Sequence, residues 1–140
     1  MKIFTGILLA CILPLVAGCG GGQSELQGTW KTTRMVTAGK ETPDDRIRKD
    51  VTVTFEGDKM ITQRKGKVLA TWTYKVDATK DPKQLTITMG EPGKEKDYYE
   101  IYKVEGDTLT TCSGARDFPK EFTLNTEQGC YYTVRTRVKE

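Results

Sequence analysis

Val68-Leu69-Ala70-Thr71-Trp72-Thr73-Tyr74-Lys75-Val76 decides the fold class of this chain. Val68, Ala70, Trp72, Tyr74 and Val76 fall on one side of an extended backbone, and Leu69, Thr71, Thr73 and Lys75 on the other. Period two with one apolar and one polar face is the pattern of a half-buried strand, and threonine suits its wet side. Val51, Val53 and Phe55 repeat the pattern against Thr52 and Thr54, as do Leu85, Ile87 and Met89 against Thr86 and Thr88. Between such runs stand Glu56-Gly57-Asp58-Lys59, Lys65-Gly66-Lys67, Asp77 to Pro82, Glu91-Pro92-Gly93 and Glu105-Gly106-Asp107. Each supplies glycine or proline where the chain must reverse. About eight or nine strands are predicted, near 26–38, 51–56, 59–64, 67–76, 84–90, 97–104, 108–113, 121–124 and 130–138.

One segment reads as helix. Thr42-Pro43-Asp44-Asp45 offers an N-cap threonine, proline at the first helical position and acids in the first turn, and the helix can run to Lys49. Nearly all strand connections are of hairpin length, whereas a sandwich needs long crossovers. The expected architecture is therefore an all-β, antiparallel up-and-down barrel with one short helix after the first strand. Closure also removes exposed strand edges.

Gly28-Thr29-Trp30 opens the first strand, and Arg135 and Arg137 lie on the last. This resembles the lipocalin and wider calycin arrangement, which implies that Trp30 plugs the barrel base with a late arginine stacked over its indole. Such a cation–π pair is worth ~0.5–2 kcal/mol. A longer ordered pattern comprises Leu26-Gln27-Gly28-Thr29-Trp30, Gly39-Lys40, Phe55 to Lys59, Tyr74 to Asp77 and Asp81-Pro82-Lys83. It ends with Gly106-Asp107-Thr108-Leu109, Cys112 and Arg116 to Phe122. In this order the chain is similar to a lipocalin-like paralogous family of secreted proteins and lipoproteins from planctomycete-type bacteria. That resemblance spans Leu26 to Val138 and implies architecture and address rather than a chemistry. The chain departs from the family where Asp117-Phe118-Pro119 follows Arg116, and in having Cys130.

The address is written at the N-terminus. Met1-Lys2 precedes an apolar run, Ile3 to Val16, shorter than the ~20 residues a membrane-spanning helix needs. Val16-Ala17-Gly18-Cys19 resembles the bacterial lipobox, so residues 1–18 are expected as a lipoprotein signal peptide, with Cys19 acylated. Residues 19–25 then form a lipidated glycine-rich tether, and residues 26–140 the barrel domain. No aspartate follows Cys19, which favours a bacterial cell-envelope location at the outer membrane or on the periplasmic side.

The chain has 140 residues, 22 basic and 19 acidic, and no histidine. That length holds one domain. The near-neutral charge argues against nucleic acid, and the missing histidine removes Ser-His-Asp and Cys-His catalysis and His-ligated metals. No cofactor or metal is expected, and a monomeric, non-enzymatic protein is the expected form. The membrane is the expected partner, through the N-terminal lipid. In an oxidising compartment the even pair Cys112 and Cys130 is expected as a disulfide, the alternative being two buried thiols acting as small hydrophobes.

Asp44, Asp45, Asp58, Asp97, Glu100, Asp107 and Asp117 are the carboxylates available to a hydrolase, but turns and a helix first turn account for most of them. No calcium-loop motif is present. Two basic clusters, Arg46-Ile47-Arg48-Lys49 and Arg64-Lys65-Gly66-Lys67, read as a solvated helix end and a hairpin tip, or as contacts for anionic headgroups or cell-wall polymers. An eight-stranded barrel can be filled by side chains or hold one small ligand. Trp72, Tyr74 and Tyr99 are the pocket candidates for a small apolar or amphipathic ligand. The alternation leaves open which of Tyr98 and Tyr99 points inward. The alternative function is an envelope interaction module with a filled barrel and loops that contact protein or glycan.

Overall fold

The computed structural model describes residues 21–43 and 50–139. The expected signal peptide, Cys19 with its lipid, the basic cluster 46–49 and most of the expected helix at 42–49 lie outside the described residues. A six-residue helix, α1 (Gly21–Leu26), precedes the strands β1 (Gly28–Thr37), β2 (Lys40–Glu41), β3 (Val51–Glu56), β4 (Lys59–Arg64) and β5 (Lys67–Asp77). They continue as β6 (Lys83–Met89), β7 (Lys96–Glu105), β8 (Thr108–Gly114) and β9 (Tyr132–Arg137). Each long strand pairs antiparallel with the next, and β9 returns to β1, with Trp30 opposite Arg137 and Val36 opposite Tyr132. The result is a closed eight-stranded up-and-down barrel of lipocalin-like form, with β2 a stub on the upper part of β1.

The turn chemistry sets the register. Glu56 pairs with Lys59 and Glu105 with Thr108, leaving two-residue loops, Gly57-Asp58 and Gly106-Asp107. Glycine comes first in each, at φ 59° and 60°, the conformation that matches strand twist in a type II′ hairpin.

Residues facing one another across a ladder share a side of the sheet, so the register separates inside from outside. Inward lie Trp30, Val53, Phe55, Met60, Tyr74, Leu85, Ile87, Tyr102 and Leu109, which with Leu26 form one core. The lower end is closed. Leu26 and Trp30 are wholly buried there, and Trp30 Nε1 donates to the Leu26 carbonyl at 2.8 Å. Helix α1 takes up residues 21–25 of the stretch expected as a tether. At six residues it is too short to stand alone, and burial of Leu26 together with the close seat of Gly22 holds it. A Cβ at Gly22 would stand 2.5 Å from the Tyr102 hydroxyl and 2.7 Å from Val76.

The strand expected at 121–124 is not formed. Phe122 and Leu124 belong instead to the long connection between β8 and β9, which lies across the outer wall. Gly39 N donates to Leu124 O at 2.9 Å, and the Tyr99 and Phe118 rings meet edge-on at 5.0 Å. Beneath this connection the outward residues Val36, Ile101 and Cys112 are buried, and Cys130 of the connection is buried too, giving the barrel a small second core outside its wall.

Cys112 and Cys130 are free, buried thiols in the structure rather than a disulfide. Cys112 pairs with Tyr132, the first residue of β9, and Cys130 lies just before that strand. Burial pushes both thiols above their ordinary pKa, which makes them poor nucleophiles. Thiol labelling without reductant is expected to modify them only after unfolding; failure to label the unfolded, unreduced chain would demonstrate a bridge.

Candidate functional site

Above the packed base the inward positions change character. Trp30, Phe55, Leu85 and Leu109 are at most 3% exposed, whereas Trp72, Met89, Glu100 and Arg135 are half-buried and Tyr98 is 48% exposed. All of these point into the barrel by register: Leu85 faces Glu100, Ile87 faces Tyr98, and Leu109 faces Arg135. The upper lumen is thus lined by one acid, one guanidinium and threonines, with Trp72 packed against the top of the core.

Thr111, buried on β8, lies between the two charges. Arg135 Nη1 donates to its hydroxyl at 3.3 Å, and that hydroxyl also hydrogen-bonds Glu100. Arg135 Nε is buried without an acceptor. Glu100 and Arg135 attract each other, but no direct ion pair joins them among the described residues. Burial pushes the Glu100 carboxyl above its ordinary pKa, outweighing the opposing pull of Arg135 and Thr111. Burial also lowers the Arg135 pKa, against the raising effect of Glu100. A charged pair inside a barrel costs desolvation that apolar side chains would avoid, which sets this part of the interior apart from the apolar base.

The residues singled out from the sequence separate into three places. Arg137, not Arg135, covers the plug: its guanidinium lies 4.2 Å from the centroid of the Trp30 ring and donates to the Gln27 and Glu25 carbonyls at 2.6 and 3.0 Å. Tyr74 points inward but belongs to the base. It is 4% exposed, meets Phe55 edge-on, donates to Gly57 O at 2.7 Å and accepts from Gln27 Nε2 at 2.8 Å. Its hydroxyl is therefore engaged at the closed base of the barrel. Tyr99 faces outward against Phe118 and is also removed from the lumen. Trp72 alone of the three pocket candidates lines the upper lumen. Tyr98, Glu100 and Arg135 are the lumen residues that sequence alternation did not assign.

Two cavities lie along the β8–β9 connection. One of about 560 Å³ is lined by Cys112, Ser113, Asp117, Phe118, Thr126 and Glu127 among others, and one of about 440 Å³ by Pro82, Lys83, Lys103, Lys120 and Phe122 among others. Lys83 is held by Glu25 at 2.8 Å, and Lys103 lies over the Phe122 ring at 5.0 Å. Among the described residues no group of three His, Cys, Asp or Glu could hold a metal, and no helix is long and apolar enough to cross a membrane.

The fold is a closed lipocalin-like barrel with a packed base and polar, ionisable side chains among the inward residues above it. The chain matches no family model, no curated protein and no solved structure.

Proposed function

We propose that this protein is a non-enzymatic binder of a small amphipathic molecule in the upper half of its barrel, held in the bacterial cell envelope by a lipid on Cys19. The observation that carries the binding reading is the Glu100–Thr111–Arg135 group inside a lumen whose base is already filled. A barrel needing only a packed interior gains nothing from ionisable groups there. A concave, largely apolar site with a few placed polar groups is the usual form of a small-molecule pocket. The anchoring part rests on the Val16-Ala17-Gly18-Cys19 sequence and the resemblance to lipoproteins.

Mass spectrometry of the protein purified from its own cells tests both parts. A native spectrum is expected to show a co-bound small molecule lost in Arg135→Met, and a denaturing spectrum an acylated N-terminal Cys19. A ligand-free native spectrum would count against the pocket; an unacylated terminus would remove the anchor. The second reading, an interaction module, is favoured by the outer cavity of about 560 Å³ and by Leu124 and Tyr131, which are 42% and 41% exposed.

A further inference from the structure

We propose that the lumen takes an anionic amphiphile whose head meets Arg135, and that Glu100 gains a proton from solvent as the ligand binds, so that uptake and release follow pH. This deepens the binding reading above and rests on it.

The argument begins with unspent hydrogen-bonding capacity. A guanidinium has five N–H donors arranged to fit a carboxylate, sulfonate or phosphate. Arg135 has its Nη1 on Thr111 and its Nε on nothing, and Glu100 has not closed an ion pair with it. An anionic head at Arg135 completes the cation's partners. Trp72 and Met89, inward and only partly buried against the top of the core, offer apolar surface for a chain elsewhere in the same interior.

Such a head arrives next to Glu100, and two like charges in one partly desolvated site disfavour each other. One of them must take a proton. A sulfonate cannot, so the proton goes to Glu100, which then becomes an O–H donor to the incoming anion. Burial already raises the Glu100 pKa before any ligand enters.

The other ionisable groups facing Glu100 do not take over this role. On its own strand Lys96 and Tyr98 lie toward the open end and are exposed, while Tyr102 is turned to the base, its pKa pushed up to about 12 by burial. On β6 the inward Lys83 is engaged by Glu25. On β8 the ionisable neighbour is Cys112, on the outer face and itself raised by burial. On β9 Arg135 is the partner, and Arg137 is committed to Trp30 and two backbone carbonyls.

Two fluorescent probes of similar shape test the proposal on the folded protein. 8-Anilinonaphthalene-1-sulfonate stays anionic across the range used, and N-phenyl-1-naphthylamine is neutral. The sulfonate is expected to bind about tenfold more tightly at about pH 5 than at about pH 8, with the neutral probe unchanged. Glu100→Gln should abolish that dependence and hold the sulfonate at its tight, low-pH level. Arg135→Gln should weaken the sulfonate about tenfold and leave the neutral probe bound.

Both probes binding with no pH dependence, or a Glu100→Gln protein retaining the slope, overturns the proton linkage and leaves the pocket standing. Neither probe binding overturns the pocket itself. Should Glu100→Gln fail to fold, calorimetry of the wild type in two buffers of different ionisation enthalpy reads the same linkage. About one proton taken up per sulfonate bound supports it, and none overturns it.

Discussion

Trp30→Ala is expected to lower the stability of this protein by about 4 kcal/mol, a large part of the ~5–15 kcal/mol available to a domain of this kind. Trp30 is wholly buried, so its removal forfeits the transfer of a large aromatic ring and leaves a cavity at the foot of the barrel. Two further losses add to this. The Leu26 carbonyl, which accepts from Trp30 Nε1 at 2.8 Å, is left without that donor, and Arg137 loses the ring beneath it. Arg137→Met keeps most of the packing but removes the charge and its bonds to the Gln27 and Glu25 carbonyls, at an expected cost of about 2 kcal/mol. The double variant should show a coupling of ~0.5–2 kcal/mol between ring and guanidinium. Urea unfolding followed by tryptophan fluorescence, which Trp72 alone supplies where Trp30 is replaced, measures all three. A loss of less than about 1 kcal/mol for Trp30→Ala would mean that the base relaxes around the gap and that the plug is not what closes the barrel.

The second large effect concerns the lumen pair and distinguishes stability from function. Arg135→Met removes the cation that faces Glu100 across Thr111; breaking a buried pair typically costs about 3–5 kcal/mol, and this half-buried, unbonded pair is expected at the low end of that range. The cost depends on pH in a definite sense. The carboxyl pKa of Glu100 is raised by burial in the wild type, and loss of Arg135, which opposes that shift, raises it further. The folded state then holds a proton that the unfolded chain, titrating near ~4.3, has released. The penalty is therefore small near about pH 4.5 and grows as pH rises through the folded pKa, reaching about 3 kcal/mol at about pH 8. Glu100→Met combined with Arg135→Met should return stability to within about 1 kcal/mol of wild type, because apolar replacements of a buried pair are often neutral. Denaturant midpoints of the three proteins at the two pH values decide this. A double variant as weak as Arg135→Met alone would mean that the pair holds the barrel together, and the case for a ligand in the lumen would lose its main support.

Most of the barrel was legible from alternation, and the exceptions have identifiable causes. The runs at 51–56 and 59–64 coincide with β3 and β4, because each has one face on the core and one in water. Alternation fails at 121–124 because Phe122 and Leu124 satisfy period two by chance while lying across the outer wall. It also fails in β8, where Leu109, Thr110, Thr111 and Cys112 are all buried. The β8–β9 connection covers the outer face there, so threonine loses its wet side, and nothing local to residues 108–114 signals that a distant segment lies on top. The site was less visible. Asp97 to Tyr102 mixes aromatic and charged residues at both parities, so only pairing with Leu85 and Ile87 reveals that Glu100 and Tyr98 point inward. Arg135 and Arg137 share a parity and compete equally for Trp30 on sequence grounds. The ladder with β1 assigns the plug to Arg137 and leaves Arg135 one inward position higher.

Helix α1 has a consequence for orientation. The chain enters the domain at the sealed end, where Leu26 and Trp30 are packed, while Tyr98 and the β4–β5 turn lie at the opposite end. Any surface that holds the protein through the residues before Gly21 therefore holds it bottom-down. The opposite end then faces away from that surface, so a ligand of the proposed site would exchange with the solvent or with whatever stands opposite, and not with the surface that holds the N-terminus.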